Sequence, residues 1–445
     1  MNLTVRSAVL EDDRPLLDLL PSCPDALAWV RDGEGLVAWG TARRIDPGRG
    51  WTRFQRAHAA LARLAGAASI TDEVQLPGSG LVAVGSFSFD ADAPGSLLVV
   101  PRVVIGRRGG VTFRTDITEA GADPVAGDTA AAQGASSHAD AVAPGAVASP
   151  PTDALHRQPA PIRRDRPRYA GSSLPDLHWL EAVATAIDRI RAGEAEKVVL
   201  ARDHAVWSQE PFDAVDLARR LTARFPRCHT FLADGLVGAT PELLLRRSGR
   251  EVTSRVLAGT TGRSDDEVAD AALGAALLAS AKDRDEHRFA AESVNEVLAP
   301  LCSDLTNDPG PRLLRLDNVQ HLATTFHGTL DDPTTSALEV VGSLHPTAAV
   351  GGTPRGAALQ MIAELEGMSR GRYAAPVGWT DAAGDGEWGI ALRCAELAGA
   401  RARLFAGVGV VGASLPEAEL EETRLKLLAM QAALEAEPEG TPGPG

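Results

Sequence analysis

Residues 376–411 read PVGWTDAAGDGEWGIALRCAELAGARARLFAGVGVV. Three β-prone runs, PVGWT, EWGIALRCAEL and RARLFAGVGVV, are separated by the Gly-rich turns AAGDG and AGA. That spacing is the signature of hairpins, not of strands joined by crossover helices. Upstream, KVVLAR (197–202) reads as a buried strand, and CHTFLAD, LVGAT, ELLLRRSG and EVTSRVLAG follow as further strands between 228 and 259. Near the N-terminus DALAWV, GLVAWG, GLVAVGSFSF, SLLVVPRVVIG and GVTFRTDI repeat the pattern, with one helix near WTRFQRAHAALARLAG. Helical spacing of Leu177, Leu180, Val183, Ile187 and Ile190 predicts a helix capped by Ser172 or Ser173 and ended at Gly193. A long helix is predicted from about Ala269 to Leu298, a shorter one around Ala357 to Glu366, and a last one from Pro416 to about Ala436. Strand runs without strict βαβ alternation predict an α+β fold with large antiparallel sheets.

Composition divides the chain. Residues 120–167 are rich in Ala, Gly, Pro, Asp and Ser and carry no aromatic residue, so they read as a flexible linker or loop. This leaves a β-rich part over 1–119, a second region over 168–439, and a short disordered tail at 440–445. The 445 residues hold 44 Lys+Arg against 59 Asp+Glu, a net charge of −15, which disfavours nucleic acid or an anionic membrane as partner. A small anion remains open if local cations or a metal hold it. Cys23, Cys228, Cys302 and Cys394 lie far apart and predict reduced thiols, not zinc ligands or a disulfide framework. No apolar run approaches the roughly 18 residues of a membrane helix, and MNLTVRSAVLEDDRP lacks the cationic start of a signal peptide, so a cytoplasmic protein is expected.

Several motifs carry chemistry, each beside a plainer reading. Gly407-Val-Gly409-Val-Val-Gly412 imitates a dinucleotide fingerprint, but no second strand with an acid follows it. Its glycines more simply let a ligand approach the backbone. In SAKDRDEHRFAAESVNEVL, Asp283, Glu286 and Ala290 share one helix face, and in PEAELEETRLKLLAM, Glu419, Glu422 and Lys426 form a second stripe. Each alone reads as a solvated face; together they can converge on a hard cation with oxygen ligands, Mg²⁺ before zinc. Lys197 opens an apolar strand, where a partly buried ammonium can serve as a general base. Glu242, at the mouth of another, is a candidate proton donor, because burial favours the protonated carboxyl.

Taken in order, KVVLAR, GATPELLLR, LAGT, KDRDEH, VQHL, LHPTAAVGGTP, GRYAAPVGW, GEWGIALRCA, AGVGVV and EETRLK resemble the chorismate-utilising enzymes, the isochorismate synthases most closely. The resemblance covers about Leu174 to Ala436. It implies antiparallel sheets packed as a sandwich with helices outside and the site in a cleft between them. It further implies an isomerase that converts chorismate to isochorismate for menaquinone or catechol siderophore synthesis. By the same resemblance Glu286 and Glu422 would hold Mg²⁺, and Arg393, Lys426, Tyr373 and the backbone at Gly407 and Ala349 would hold the dianionic substrate. Lys197 would activate water for attack at C2, and Glu242 would protonate the departing C4 hydroxyl.

Sister activities differ at single positions. Anthranilate synthases carry glutamine where Lys197 stands, and aminodeoxychorismate synthases carry a nucleophilic lysine at the position of Ala258. Salicylate synthases keep Lys197 and are the alternative enzyme; Ala349-Val350 resembles the isochorismate synthases, while Ala348 departs from the usual proline. A catalytically silent binding scaffold is the alternative outside enzymes, against which the intact Lys197, Glu242, Glu286 and Glu422 speak. His321 and His345 are candidates to shape the pocket, although a hydrogen-bonded core histidine is the plainer reading of each. No obligatory protein partner is inferred.

Overall fold

A computed structural model describes residues 2–119, 167–316 and 319–435. The linker expected over 120–167 lies, except for Pro167, outside the described residues, as does the expected tail at 440–445. The α+β expectation holds: strands run antiparallel throughout, apart from a parallel pairing of Leu3–Val9 with Ser69–Asp72.

The strand Leu97–Arg108 organises the sheets. One edge pairs with Glu34–Ile45, while the other is shared by Val82–Ser86 at its start and Val111–Glu119 at its end. From the first edge, hydrogen bonding passes through Leu27–Arg31, His229–Ala233, Leu236–Thr240, Cys394–Ala398 and Arg401–Val411 to Lys197–Trp207. From Val82–Ser86 it passes through Pro376–Asp381, Gly386–Ile390, Leu243–Ser248 and Glu251–Gly262 to Val319–Thr329. Two sheets therefore diverge from one strand, and one apolar core joins them: Trp29 and Phe231 from the first meet Trp379 and Trp388 from the second. Four tryptophans, Trp29, Trp179, Trp379 and Trp388, are fully buried. At roughly 150–250 Å² per aromatic side chain and about 25 cal/mol per Å², each contributes about 4–6 kcal/mol of transfer free energy. Gly389 permits this packing, because a Cβ there would sit 2.8 Å from the Trp29 ring.

Two helix expectations are corrected. The long helix predicted from Ala269 to Leu298 is two, Glu267–Ala279 and Ala281–Leu298. Ser280 breaks it with an extended ψ of 118° and caps the second helix by accepting from the Asp283 N–H. The helix expected to be capped by Ser172 or Ser173 runs Asp176–Arg191 behind Pro175, with no side-chain cap. Ser173 instead gives its N–H and hydroxyl to Asp203, and Leu177, counted into the apolar stripe, is 66% exposed. Trp179 takes the buried place. Two helices went unread, Ala214–Arg224 and Ala337–Leu344; each is announced by a cap, Asp213 and the Ser336–Glu339 capping box.

Candidate active site

The site begins with one pair of strands. Lys197–Trp207 and Arg401–Val411 pair in register, with Val199 opposite Gly409 and Ala201 opposite Gly407. Alternate residues share a face, so Phe405, Gly407 and Gly409 point the same way. A Cβ at Gly409 would lie 2.1 Å from a Glu286 carboxylate oxygen and 2.9 Å from Lys197 Cε; one at Gly407 would lie 3.0 Å from the Tyr373 hydroxyl. The glycines of the false fingerprint thus make room for catalytic-type side chains.

Across from them stand Glu251–Gly262 and Val319–Thr329, and the helix Ala281–Leu298 packs on both. Between the two sheets lies a cleft that encloses, with the solvent at its opening, about 730 Å³ of empty space. Eight of the ten residues expected at the site line it: Glu242, Glu286, His321, Ala349, Tyr373, Arg393, Gly407 and Lys426. Lys197 and Glu422 do not. Lys197 is fully buried behind the wall, its Nζ 3.3 Å from Glu286 Oε1 and 3.4 Å from the Glu286 carbonyl. Glu422 lies one turn before Lys426 and pairs with it at 2.8 Å, while Lys426 Nζ donates to the Gly407 carbonyl at 2.8 Å. His345 is a core histidine outside the cavity, bonded through Nε2 to the Phe89 carbonyl at 3.0 Å.

Electrostatics sort these groups. Burial pushes the Glu242 carboxyl up to about 8 against the opposing pull of the Lys197 charge and the Leu257 N–H, so near neutrality it carries a proton. Burial likewise raises Tyr373, whose ring stacks on Phe405 at 5.0 Å. Arg393, in the left-handed region at φ 47°, sets Nη2 2.6 Å from His321 Nε2. Its Nη1 is buried without a hydrogen-bond partner, a cationic donor in the wall of the cavity. Burial lowers the Arg393 pKa from its ordinary value. Such a donor suits an anionic ligand.

Three carboxylates gather near the mouth, each answered by a lysine: Glu286 by Lys197, Glu422 by Lys426, and the buried Glu419 by Lys282. Glu286 and Glu422 both raise Lys282, which places the two acids in one field. Among the described residues no group of three or more His, Cys, Asp or Glu converges as a ready metal site. The donors are all oxygen, and one or two carboxylates with water and a substrate oxygen are what Mg²⁺ usually takes, so Glu286 and Glu422 fit a hard cation. The Lys282–Glu419 pair and Thr260 beside His321 were not recognised in the sequence. The available signal was the acidic stripe Glu419–Glu422 on one helix together with Lys282 at the start of another.

The chain is similar to known proteins in sequence and in fold. A family model described as chorismate binding enzyme matches residues 28–435. The isochorismate synthase DhbC of Bacillus subtilis (strain 168) is 41% identical over 267 residues, covering 58% of this chain and 67% of that protein. The isochorismate synthase EntC of Escherichia coli (strain K12) is 42% identical over 255 residues, covering 56% of this chain and 65% of that protein. The fold is similar to the solved structure of MenF, the menaquinone-specific isochorismate synthase from Escherichia coli, with a TM-score of 0.75 at 24% identity, covering 97% of this chain and 95% of that one.

Proposed function

The chain belongs to the chorismate-binding enzyme family, and from that premise we propose that it is an isochorismate synthase, an isomerase that moves a hydroxyl from C4 to C2 of chorismate. The observation that carries the reading is Glu242, a carboxyl in the cavity wall that burial raises to about 8 against the opposing charge of Lys197. An acid still protonated at neutral pH beside a lysine is the pair that this exchange of hydroxyls requires.

The residues take the following parts. Arg393, through its unpartnered Nη1, and Lys426 meet the two carboxylates of the substrate. Tyr373 and the backbone at Gly407 and Ala349 fix the enolpyruvyl side. Glu286 and Glu422 would hold Mg²⁺, which when bound neutralises the ring carboxylate. Lys197 takes a proton from water as the water oxygen bonds to C2 and the diene electrons shift. The C4–O bond breaks, and Glu242 gives its proton to the departing hydroxyl, which leaves as water. The acidic chain with four reduced cysteines suits the cytoplasm, and among the described residues no helix is long and apolar enough to cross a membrane.

The deciding experiment is chorismate turnover at saturating Mg²⁺ with chromatographic separation of products. Isochorismate is expected as the main product. Salicylate with pyruvate, or no turnover, would overturn the assignment.

A further inference from the structure

His321 lines the cavity and was expected to touch substrate, but its hydrogen bonds give it a different task. Nε2 lies 2.6 Å from Arg393 Nη2, and Nδ1 lies 3.1 Å from Thr260 Oγ1 and 3.4 Å from the Gly259 carbonyl. A guanidinium has five donors and no acceptor, so the Nε2 lone pair must accept from Arg393. The ring proton then sits on Nδ1 and is given to Thr260 or Gly259. Both ring nitrogens are engaged by protein, and neither is left for a reacting atom.

We propose that His321 is a positioning residue: its Nε2 lone pair fixes the Arg393 guanidinium so that the unpartnered Nη1 faces the cavity and receives a substrate carboxylate. The proposal rests on the reading of the substrate as the dianion chorismate. Three observations support it. Arg393 lines the cavity, and its Nη1 is buried without a hydrogen-bond partner, so one end of the guanidinium is held by His321 and the other is left to be satisfied by a ligand. The Arg393 backbone is in the left-handed region, which is unfavourable for a non-glycine residue and persists only where the surroundings impose it. Here the Arg393 carbonyl is tied to the Ala239 N–H on the adjacent strand, so backbone and side chain are each anchored once. Finally, burial and the charges of Arg393 and Lys426 hold His321 well below its usual range, which keeps the lone pair free to accept.

Substitutions at His321 separate this role from direct catalysis. Gln can place an acceptor near the Nε2 position, whereas Asn reaches only as far as Nδ1 and keeps the Thr260 side alone. His321→Asn should raise KM for chorismate roughly tenfold to hundredfold, the worth of a hydrogen bond to a charged group, with kcat within a few-fold of wild type. His321→Gln should restore KM to within about fivefold by the same reckoning. In an Arg393→Met background, His321→Asn should add almost nothing, because the group that it positions is gone. Thermal unfolding of each variant reports folding. Equal KM for the Asn and Gln variants, full additivity with Arg393→Met, or a fall in kcat at unchanged KM would each overturn the proposal. A wild-type protein that leaves chorismate untouched would remove the functional reading itself, and this inference with it.

Discussion

At the scale of single residues, the proton pair makes the sharpest demands. Lys197→Gln keeps length but removes the group that takes a proton, so turnover should fall by about 10² to 10⁴, the usual worth of general acid–base catalysis, with binding less affected. Steady-state kinetics with chorismate checks this, and isochorismate formation within tenfold of wild type would refute the role. Glu242→Gln should be comparably damaging and should also change stability. The folded-state pKa of about 8 lies above the ordinary 4.5, so the fold binds this proton more tightly than the unfolded chain does. The resulting penalty is absent below about pH 4.5, grows as pH rises, and is complete above about pH 8. Glu242→Gln should therefore melt progressively higher than wild type as the buffer goes from pH 5 to 9, and the wild-type kcat/KM should decline as pH rises through about 8. A stability difference independent of pH would show that Glu242 is already ionised in the fold.

Among elements, the strand Arg401–Val411 shows what a sequence can and cannot disclose. Its apolar residues and its partner KVVLAR were legible because strands buried on both faces read as continuous runs of β-branched and small residues. The purpose of its glycines was legible only as close approach, since the approaching group, Glu286, comes from a helix more than a hundred residues earlier. The break at Ser280 was hidden because SAKDRDEH continues helical spacing while its serine competes for the backbone as a cap. Gly409→Ala supplies a test at this scale. The added methyl meets the movable end of Glu286 and Lys197 Cε, not backbone, so the strand should survive while both side chains are displaced. Turnover should fall at least about a hundredfold, on the scale of lost acid–base catalysis, with thermal stability nearly unchanged. Glu422→Gln, which removes charge but little volume, should raise the Mg²⁺ concentration needed for half-maximal rate, and chelator should abolish wild-type activity. An unchanged magnesium requirement would dismiss Glu422 as a ligand.

For the whole molecule, the two sheets diverging from Leu97–Arg108 explain why the N-terminal part, which carries none of the residues assigned to the site, is nonetheless needed. Trp29 and Phe231 of one sheet and Trp379 and Trp388 of the other share one apolar core. The α+β class was legible from hairpin spacing, but the divergence was not, because one strand pairing with different neighbours along its length leaves no mark in local periodicity. The converse holds for residues 120–166, whose composition is informative although their place in the fold lies outside the described residues. They join Val111–Glu119, paired to Leu3–Val9, with Arg168–Gly171, paired to Lys197–Trp207, and each of those pairings is made by ordered chain on its own side. Closing a connection costs only about 0.6 kcal/mol for each doubling of its length, so shortening it should gain about 1 kcal/mol or less. Deleting about 125–160 should leave the melting temperature level or slightly raised and chorismate turnover within about twofold, because an Ala-, Gly- and Pro-rich segment without aromatics has little apolar surface to bury in either state. Calorimetry and turnover of the deletion variant measure both quantities. A large loss of turnover with unchanged melting would mean that the segment acts on the site, and a drop in melting would mean that it completes the fold.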